Sequence, residues 1–173
     1  MSKKRRPKYC WDSSVFLAWM KEEAGAPLDD IGLVADSIDD DRADLIVPVT
    51  VFSEIIEAKH TKSQLHRMQQ FCKRSNVLSV DTTRAIAERA GELRSALLKE
   101  GRKLKTPDAQ ITATAILYGA DALHTLDPDL LKISKSAAVA GLVIIKPRLM
   151  TGHRAIPGFG AVHDDDMADL DEE

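Results

Sequence analysis

The sequence predicts an α/β protein: a single domain built on a central parallel sheet of four to five strands, with helices on both faces. Two observations carry that prediction. Short apolar, β-branched runs alternate with longer stretches of helical periodicity, at intervals suited to right-handed crossovers. The chain of 173 residues, 44% of them apolar, is long enough for one domain with a real core and too short for two of ordinary size.

The elements follow in order. Lys8–Trp11 is the first strand, ended by Asp12, and Ser13 or Ser14 is placed to cap a helix with Val15, Phe16, Trp19 and Met20 on its apolar face. Gly25 and Pro27 break that helix, and Leu28, Ile31, Val34, Ala35 and Ile38 recur at the spacing of a second. The acids Asp39–Asp41 close it; consecutive acids on a helix point in different directions, so they are expected to be solvated. Asp44–Val49 is the second strand, too apolar and β-branched for an exposed loop. A helix starting at Thr50 or Ser53 then turns Phe52, Ile55 and Ile56 inward, with Glu54 and Glu57 three apart on one side.

Helix Lys62–Ser75 and strand Asn76–Val80 come next. Asp81 or Thr82 caps the long helix Thr83–Glu100, whose stripe is Ile86, Ala90, Leu93, Leu97 and Leu98. The short basic loop Gly101–Lys105 leads into a central helix running to Leu117, with Thr106 as its N-cap and Pro107 in the first turn, where a missing N–H costs nothing. Strand Ala122–Thr125, a short helix from Pro128 and strand Leu142–Ile145 complete the domain. Beyond Pro147 the periodicity stops. Residues 148–173 are expected to form an extended segment and a mobile acidic tail, as residues 1–7 form a basic arm ahead of the domain at 8–147.

Charge and cysteine usage narrow the class. The formal charge is −3, yet the basic residues Lys3, Lys4, Arg5, Arg6 and Lys8 gather at one end and seven acids between Asp164 and Glu173 at the other, leaving a body near neutrality. A nucleic-acid partner is compatible with this, because a local patch is what matters. Opposite end charges also suggest a tail that competes with a nucleic acid for basic groups. Cys10 and Cys72 have no ligand-spaced companions and are expected to be buried free thiols. The start has no apolar segment of the secretory kind and no run can span a bilayer, so a cytoplasmic protein without membrane contact is expected. His153 and His163 are expected to be exposed rather than ligating.

Four acids carry the candidate chemistry. Asp12 follows the first strand, Glu54 lies just past the second, Asp108 opens the central helix, and Asp127 follows the fourth strand. In an open α/β sheet, residues beyond the carboxyl ends of strands meet in one crevice. Alone, Asp108 would only complement a helix dipole. Four like charges in one crevice are costly unless a cation neutralises them, and oxygen-only ligands suit Mg²⁺ or, as a substitute, Mn²⁺. Arg102, Lys103 and Lys105 beside them would attract a phosphate backbone that the carboxylates repel.

At these residues the chain resembles the PIN domain family, and within it the VapC-like toxin ribonucleases. The motifs are WDSSVFLAW around Asp12, VTVFSEI with Glu54, KTPDAQITATAILYGA with Asp108, and HTLDPDL with Thr125 and Asp127, in that order. Ser13 and Ser14 stand where the family more often has Asn or Thr, and the last motif offers both Asp127 and Asp129 as the fourth acid. The resemblance implies a PIN-like fold and a Mg²⁺-dependent endoribonuclease. Asp12 and Asp108 would be the main ligands, Glu54 and Asp127 would orient water or hold a second ion, and Thr125 would steady that water. It further implies single-stranded or tRNA-like RNA as substrate, a cognate antitoxin and a homodimer. The alternative is a non-catalytic PIN module that binds RNA or a protein. An aspartyl phosphatase would want an acid where Ser14 stands, a receiver domain leaves Asp108 without a role, and no P-loop is present.

Overall fold

The computed structural model describes residues 5–150. The acidic tail, His153, His163 and the first four residues of the basic arm lie outside them. Five parallel strands form the sheet: β1 (Lys8–Trp11), β2 (Asp44–Pro48), β3 (Val77–Val80), β4 (Ala122–His124) and β5 (Val143–Ile145), in the order β3-β2-β1-β4-β5. Between them run α1 (Ser13–Lys21) and α2 (Leu28–Asp39), then α3 (Val49–Glu57) and α4 (Lys62–Phe71). The remaining helices are α5 (Arg84–Lys99), α6 (Thr106–Leu117) and α7 (Pro128–Lys132).

The chain moves outward from β1 to β3, then returns across the sheet to β4. Right-handed crossovers therefore set α1–α4 on one face and α5–α7 on the other. The order reverses between β1 and β4, and these neighbours pair with Tyr9 opposite Ala122 and Trp11 opposite His124. That reversal is the switch point, where loops from adjacent strands diverge and leave a crevice.

The core explains the register. Tyr9, Cys10 and Trp11 are wholly buried, as both faces of a doubly wound sheet require. On the α1 side Trp11 stacks on Phe71 at 5.8 Å and meets Phe16 edge-on at 5.1 Å. Each such ring contributes on the order of 1.5–3 kcal/mol by burial. Beneath the other face α6 is buried from Asp108 to Ala115 except at the half-buried Gln110, and its small residues let it lie tightly along α5.

Several local expectations shift. Asp12 itself caps α1, accepting from the Ser14 backbone N–H, so neither serine is the cap. Thr83 caps α5, one residue beyond the expected pair, and α6 has Lys105 at its N-cap with no side-chain bond. Thr106 is thus the first helical residue. Ile56 and Leu98 are exposed, because each helix has only a narrow buried stripe and these fall off its edge. Cys72 is only partly buried, while Cys10 is fully so. No helix among the described residues is long and apolar enough to cross a membrane.

Candidate active site

The switch point holds Asp12 and Thr125 side by side. Each continues its strand's ladder by one residue: the Asp12 N–H donates to the His124 carbonyl at 3.1 Å and the Thr125 N–H to the Ile145 carbonyl at 3.0 Å. Their side chains consequently emerge together. The buried Thr125 hydroxyl donates to Asp12 Oδ2 at 3.0 Å, and the Ser14 hydroxyl donates to the same oxygen at 2.6 Å. Both hydroxyls also act as acceptors, Ser14 Oγ from the Leu126 N–H and Thr125 Oγ1 from the Asp127 N–H, each at 2.9 Å. Two hydroxyls thus tie the loop after β4 to the start of α1. Among the described residues no hydrogen bond reaches Asp12 Oδ1, so one oxygen is fixed and the other is free.

Asp127 caps α7 by accepting from the Asp129 N–H at 2.8 Å. Asp129 is exposed and paired with Lys132 at 2.8 Å. This separates the two candidates for the fourth acid. Asp127 contributes to the electrostatic field at both Glu54 and Asp108, whereas Asp129 is engaged with a lysine on the flank.

Asp108 sits in the first turn of α6, only 8% exposed. Burial, then the charges of Asp12, Asp127 and Glu54, push its carboxyl up to about 6, against a smaller opposing pull from Lys105. Glu54, one turn from the end of α3, is raised by the same causes: burial first, with Asp12, Asp127 and Glu57 adding to it and the Ser13 hydroxyl opposing. Its Oε2 is buried without a hydrogen-bond partner. The four acids therefore share one electrostatic neighbourhood, reached from four separate segments. None of the four is in an ion pair among the described residues. Nor, among those residues, do three Asp, Glu, His or Cys side chains close to coordinating geometry.

The donor set fits a hard cation: carboxylate oxygens only, one of them a buried orphan. His124 contributes nothing there. It is fully buried, accepts from Trp11 Nε1 at 3.2 Å through Nδ1 and stacks on Tyr9 at 4.6 Å, and burial lowers its pKa to about 3. It is a neutral core residue.

Sequence reasoning gave Ser14 no role toward Asp12, named Thr50 and Thr82 only at helix starts, and did not single out Gln110. Thr50 Oγ1 donates to Gln110 Oε1 at 3.2 Å and lies 3.5 Å from Thr82 Oγ1, joining α3, α6 and the loop after β3 beside the acids. Gln110 two residues after Asp108 and Thr50 one turn before Glu54 were the available signals.

Fold and site together define an α/β domain whose acidic crevice opens at the switch point of a parallel sheet. The PIN domain profile matches residues 9–136, and the chain belongs to the PIN domain family. No curated protein matches the sequence. Among solved structures, VapBC2 from Rickettsia felis, bound to a DNA fragment from its promoter, aligns with TM-score 0.58 and 17% identity over 79% of this chain and 96% of that one. VapBC-5 from Mycobacterium tuberculosis, a member of the VapBC family of toxin-antitoxin systems, aligns with TM-score 0.52 and 19% identity over 80% and 98%. VapC20 from Mycobacterium tuberculosis, a sarcin-ricin loop cleaving toxin, aligns with TM-score 0.52 and 16% identity over 70% and 91%. At these identities the shared property is the fold.

Proposed function

We propose that the protein is a Mg²⁺-dependent endoribonuclease and the toxin of a toxin-antitoxin pair. One observation carries the reading: four acids from four segments share one electrostatic neighbourhood, none of them in an ion pair among the described residues, and burial together with the charges of the other three pushes Asp108 up to about 6. A fold rarely leaves such a charge uncompensated outside a functional site. Asp12 and Asp108 would hold the ion, with Glu54 and Asp127 beside it; Mn²⁺ would substitute. Bound Mg²⁺ supplies Lewis acidity toward a phosphodiester oxygen and lowers the pKa of water.

The chain's own groups then have distinct tasks. Ser14 and Thr125 hold Asp12 Oδ2, which fixes the carboxylate plane and leaves Oδ1 without a donor among the described residues. Glu54 Oε2, lacking any donor, is available to accept a proton-bearing ligand such as water. Asp127 is held at the helix start by its own capping bond. The nuclease unit is assigned to residues 8–147, the rest being additions at either end. The VapBC neighbours support an antitoxin partner; the proposal also includes a homodimer and single-stranded or tRNA-like RNA as substrate, in the cytoplasm.

The test is cleavage of a mixed single-stranded RNA pool, with a sarcin-ricin-type hairpin included because VapC20 is described as cutting that loop. Cleavage is expected with Mg²⁺ or Mn²⁺, none with EDTA, and none from Asp108→Asn. If neither protein cuts while both are folded and bind metal, the reading fails in favour of a non-catalytic PIN module.

A further inference from the structure

Beside the acidic crevice lies a cavity of opposite sign. It has a volume of about 400 Å³ and is lined by Gly101, Arg102, Lys103, Asp129, Lys132 and Ile133, so it joins the loop after α5 to α7. We infer that this cavity binds a backbone phosphate flanking the scissile one, and that Lys103 is its principal unpaired cation. The inference rests on the nuclease reading above and adds to it a backbone contact outside the scissile bond.

The loop is built rather than slack. Gly101, at φ +74°, ends α5 in a left-handed turn: the Arg102 N–H donates to the Leu97 carbonyl at 2.9 Å and the Gly101 N–H to the Leu98 carbonyl at 3.0 Å. That reciprocal pair is a Schellman motif, open to glycine because a side chain at positive φ is strained. Arg94 Nε then holds the Leu104 carbonyl at 3.0 Å while the Leu104 side chain is buried, and the Arg102 guanidinium holds the Lys132 carbonyl at 3.2 Å. Both neighbours of Lys103 are therefore anchored. Lys103 and Lys105 are exposed, and neither is in an ion pair among the described residues.

Charge accounting favours an anion. Lys132 is matched by Asp129, and Arg102 approaches Glu100 only at 3.7 Å while keeping most of its five donors free. Lys103 and Lys105 remain as surplus positive charge on the flank of a crevice that repels phosphate. Lys105, two residues from Lys103, acts electrostatically on both Asp108 and Asp129, which sets the basic loop between the acids and the cavity. A strand crossing the acids gains a compensating contact here. An acidic peptide would meet the same cations but has no reason to extend over the carboxylates.

The experiment uses the full chain carrying Asp108→Asn, so that RNA stays intact, and an oligoribonucleotide with hydroxyls at both ends, so that every phosphate is a backbone diester. Affinity is measured against salt concentration. Adding Lys103→Ala should reduce the slope of log K against log salt by about 0.7, the value for one phosphate contact on a single strand. Lys103→Arg should restore it, and Lys21→Ala, at the far end of α1, should leave it unchanged. Asp129→Asn, which frees Lys132, should tighten binding. An unchanged slope with Lys103→Ala, while the wild-type chain still cuts RNA, overturns the phosphate site and spares the nuclease reading. A reduced slope in a chain that never cuts RNA supports the site and overturns the nuclease reading.

Discussion

The two ends of the sheet treat their acids in opposite ways. At the amino ends of the strands every prominent acid has a partner: Arg5 pairs with Asp121, Arg6 with Asp41 and, at 3.0 Å, with Asp44, and the Lys8 N–H donates to Asp121 at 2.8 Å. At the carboxyl ends Asp12, Glu54, Asp108 and Asp127 gather without a salt bridge among the described residues. Two like charges at 4 Å repel by about 4 kcal/mol at an effective dielectric of 20, several times what an exposed pair returns. The chain has arginines to spare and sets two of them at the wrong end to help. The unpaired cluster is thus a property of the design of the site, not a shortage of cations.

The strongest way to break that comparison is to loosen the acids without touching their charge. Ser14→Ala removes the hydroxyl that donates to Asp12 Oδ2 and accepts from Leu126, leaving Thr125 as the remaining side-chain donor to that oxygen. Loss of such an outer-shell partner should lower Mg²⁺ affinity or cleavage about 10–100-fold. Thermal stability should move little, since Ser14 is partly exposed and a neutral hydrogen bond contributes about 1 kcal/mol net. Metal titration by calorimetry, alongside cleavage rates, reads both effects. Ser14→Thr should retain most of the activity; a loss as large as that of Ser14→Ala would show that the position acts by size rather than by its hydroxyl.

A smaller effect tests how burial and the neighbouring acids together hold Asp108. The folded chain holds Asp108 at about 6 against an ordinary 3.8, so between those values the native state binds more protons than the unfolded one. Stability contributed by this group is therefore lost as pH rises from about 4 to 6. In EDTA, Asp108→Asn should match wild type near pH 4 and melt higher above pH 6, by a few degrees at about 2–4 °C per kcal/mol. His124, lowered to about 3 by burial, works in the opposite direction over an overlapping range, but it is common to both proteins and cancels in the difference. Saturating Mg²⁺ should reverse the order, since a ligand at 100 times its Kd adds about 2.7 kcal/mol to the protein that binds it. A difference independent of pH would mean that burial and its neighbours' charges do not raise Asp108 in the folded chain.

The sequence was legible where a residue's neighbours in the chain decide its state. Strand Lys8–Trp11 and the switch-point logic that brings Asp12, Glu54, Asp108 and Asp127 to one edge follow from apolar runs and chain direction, and the sheet has the expected five parallel strands. Caps were misplaced by one residue because several polar side chains stood in each candidate turn, and only backbone angles decide among Asp12, Ser13 and Ser14. What distinguishes Asp127 from Asp129 was hidden in the lysine one turn on: Lys132 pairs with Asp129, while Asp127 acts on Glu54 and Asp108. The role of Ser14 was invisible because its acceptor and donor partners lie on opposite sides of the switch point, 112 residues apart in the case of Leu126. Ile56 and Leu98 were misplaced because periodicity gives the direction of a helical stripe but not its width.

The smallest expected effect sharpens the comparison from the other end. Arg6→Ala removes the partner of Asp41 and Asp44, side chains that are 69% and 31% exposed, and exposed pairs are worth about 0.2–1 kcal/mol. The melting temperature should fall by about 1–3 °C, less at high salt, while cleavage and the salt slope of RNA binding stay as in wild type. The reason is position: Arg6 is bound at the amino edge, one sheet length from the crevice, and its charge is already spent on two acids. Should Arg6→Ala weaken RNA binding with the fold intact, the basic arm would belong to the substrate path, and the division between a structural edge and a chemical edge would no longer hold.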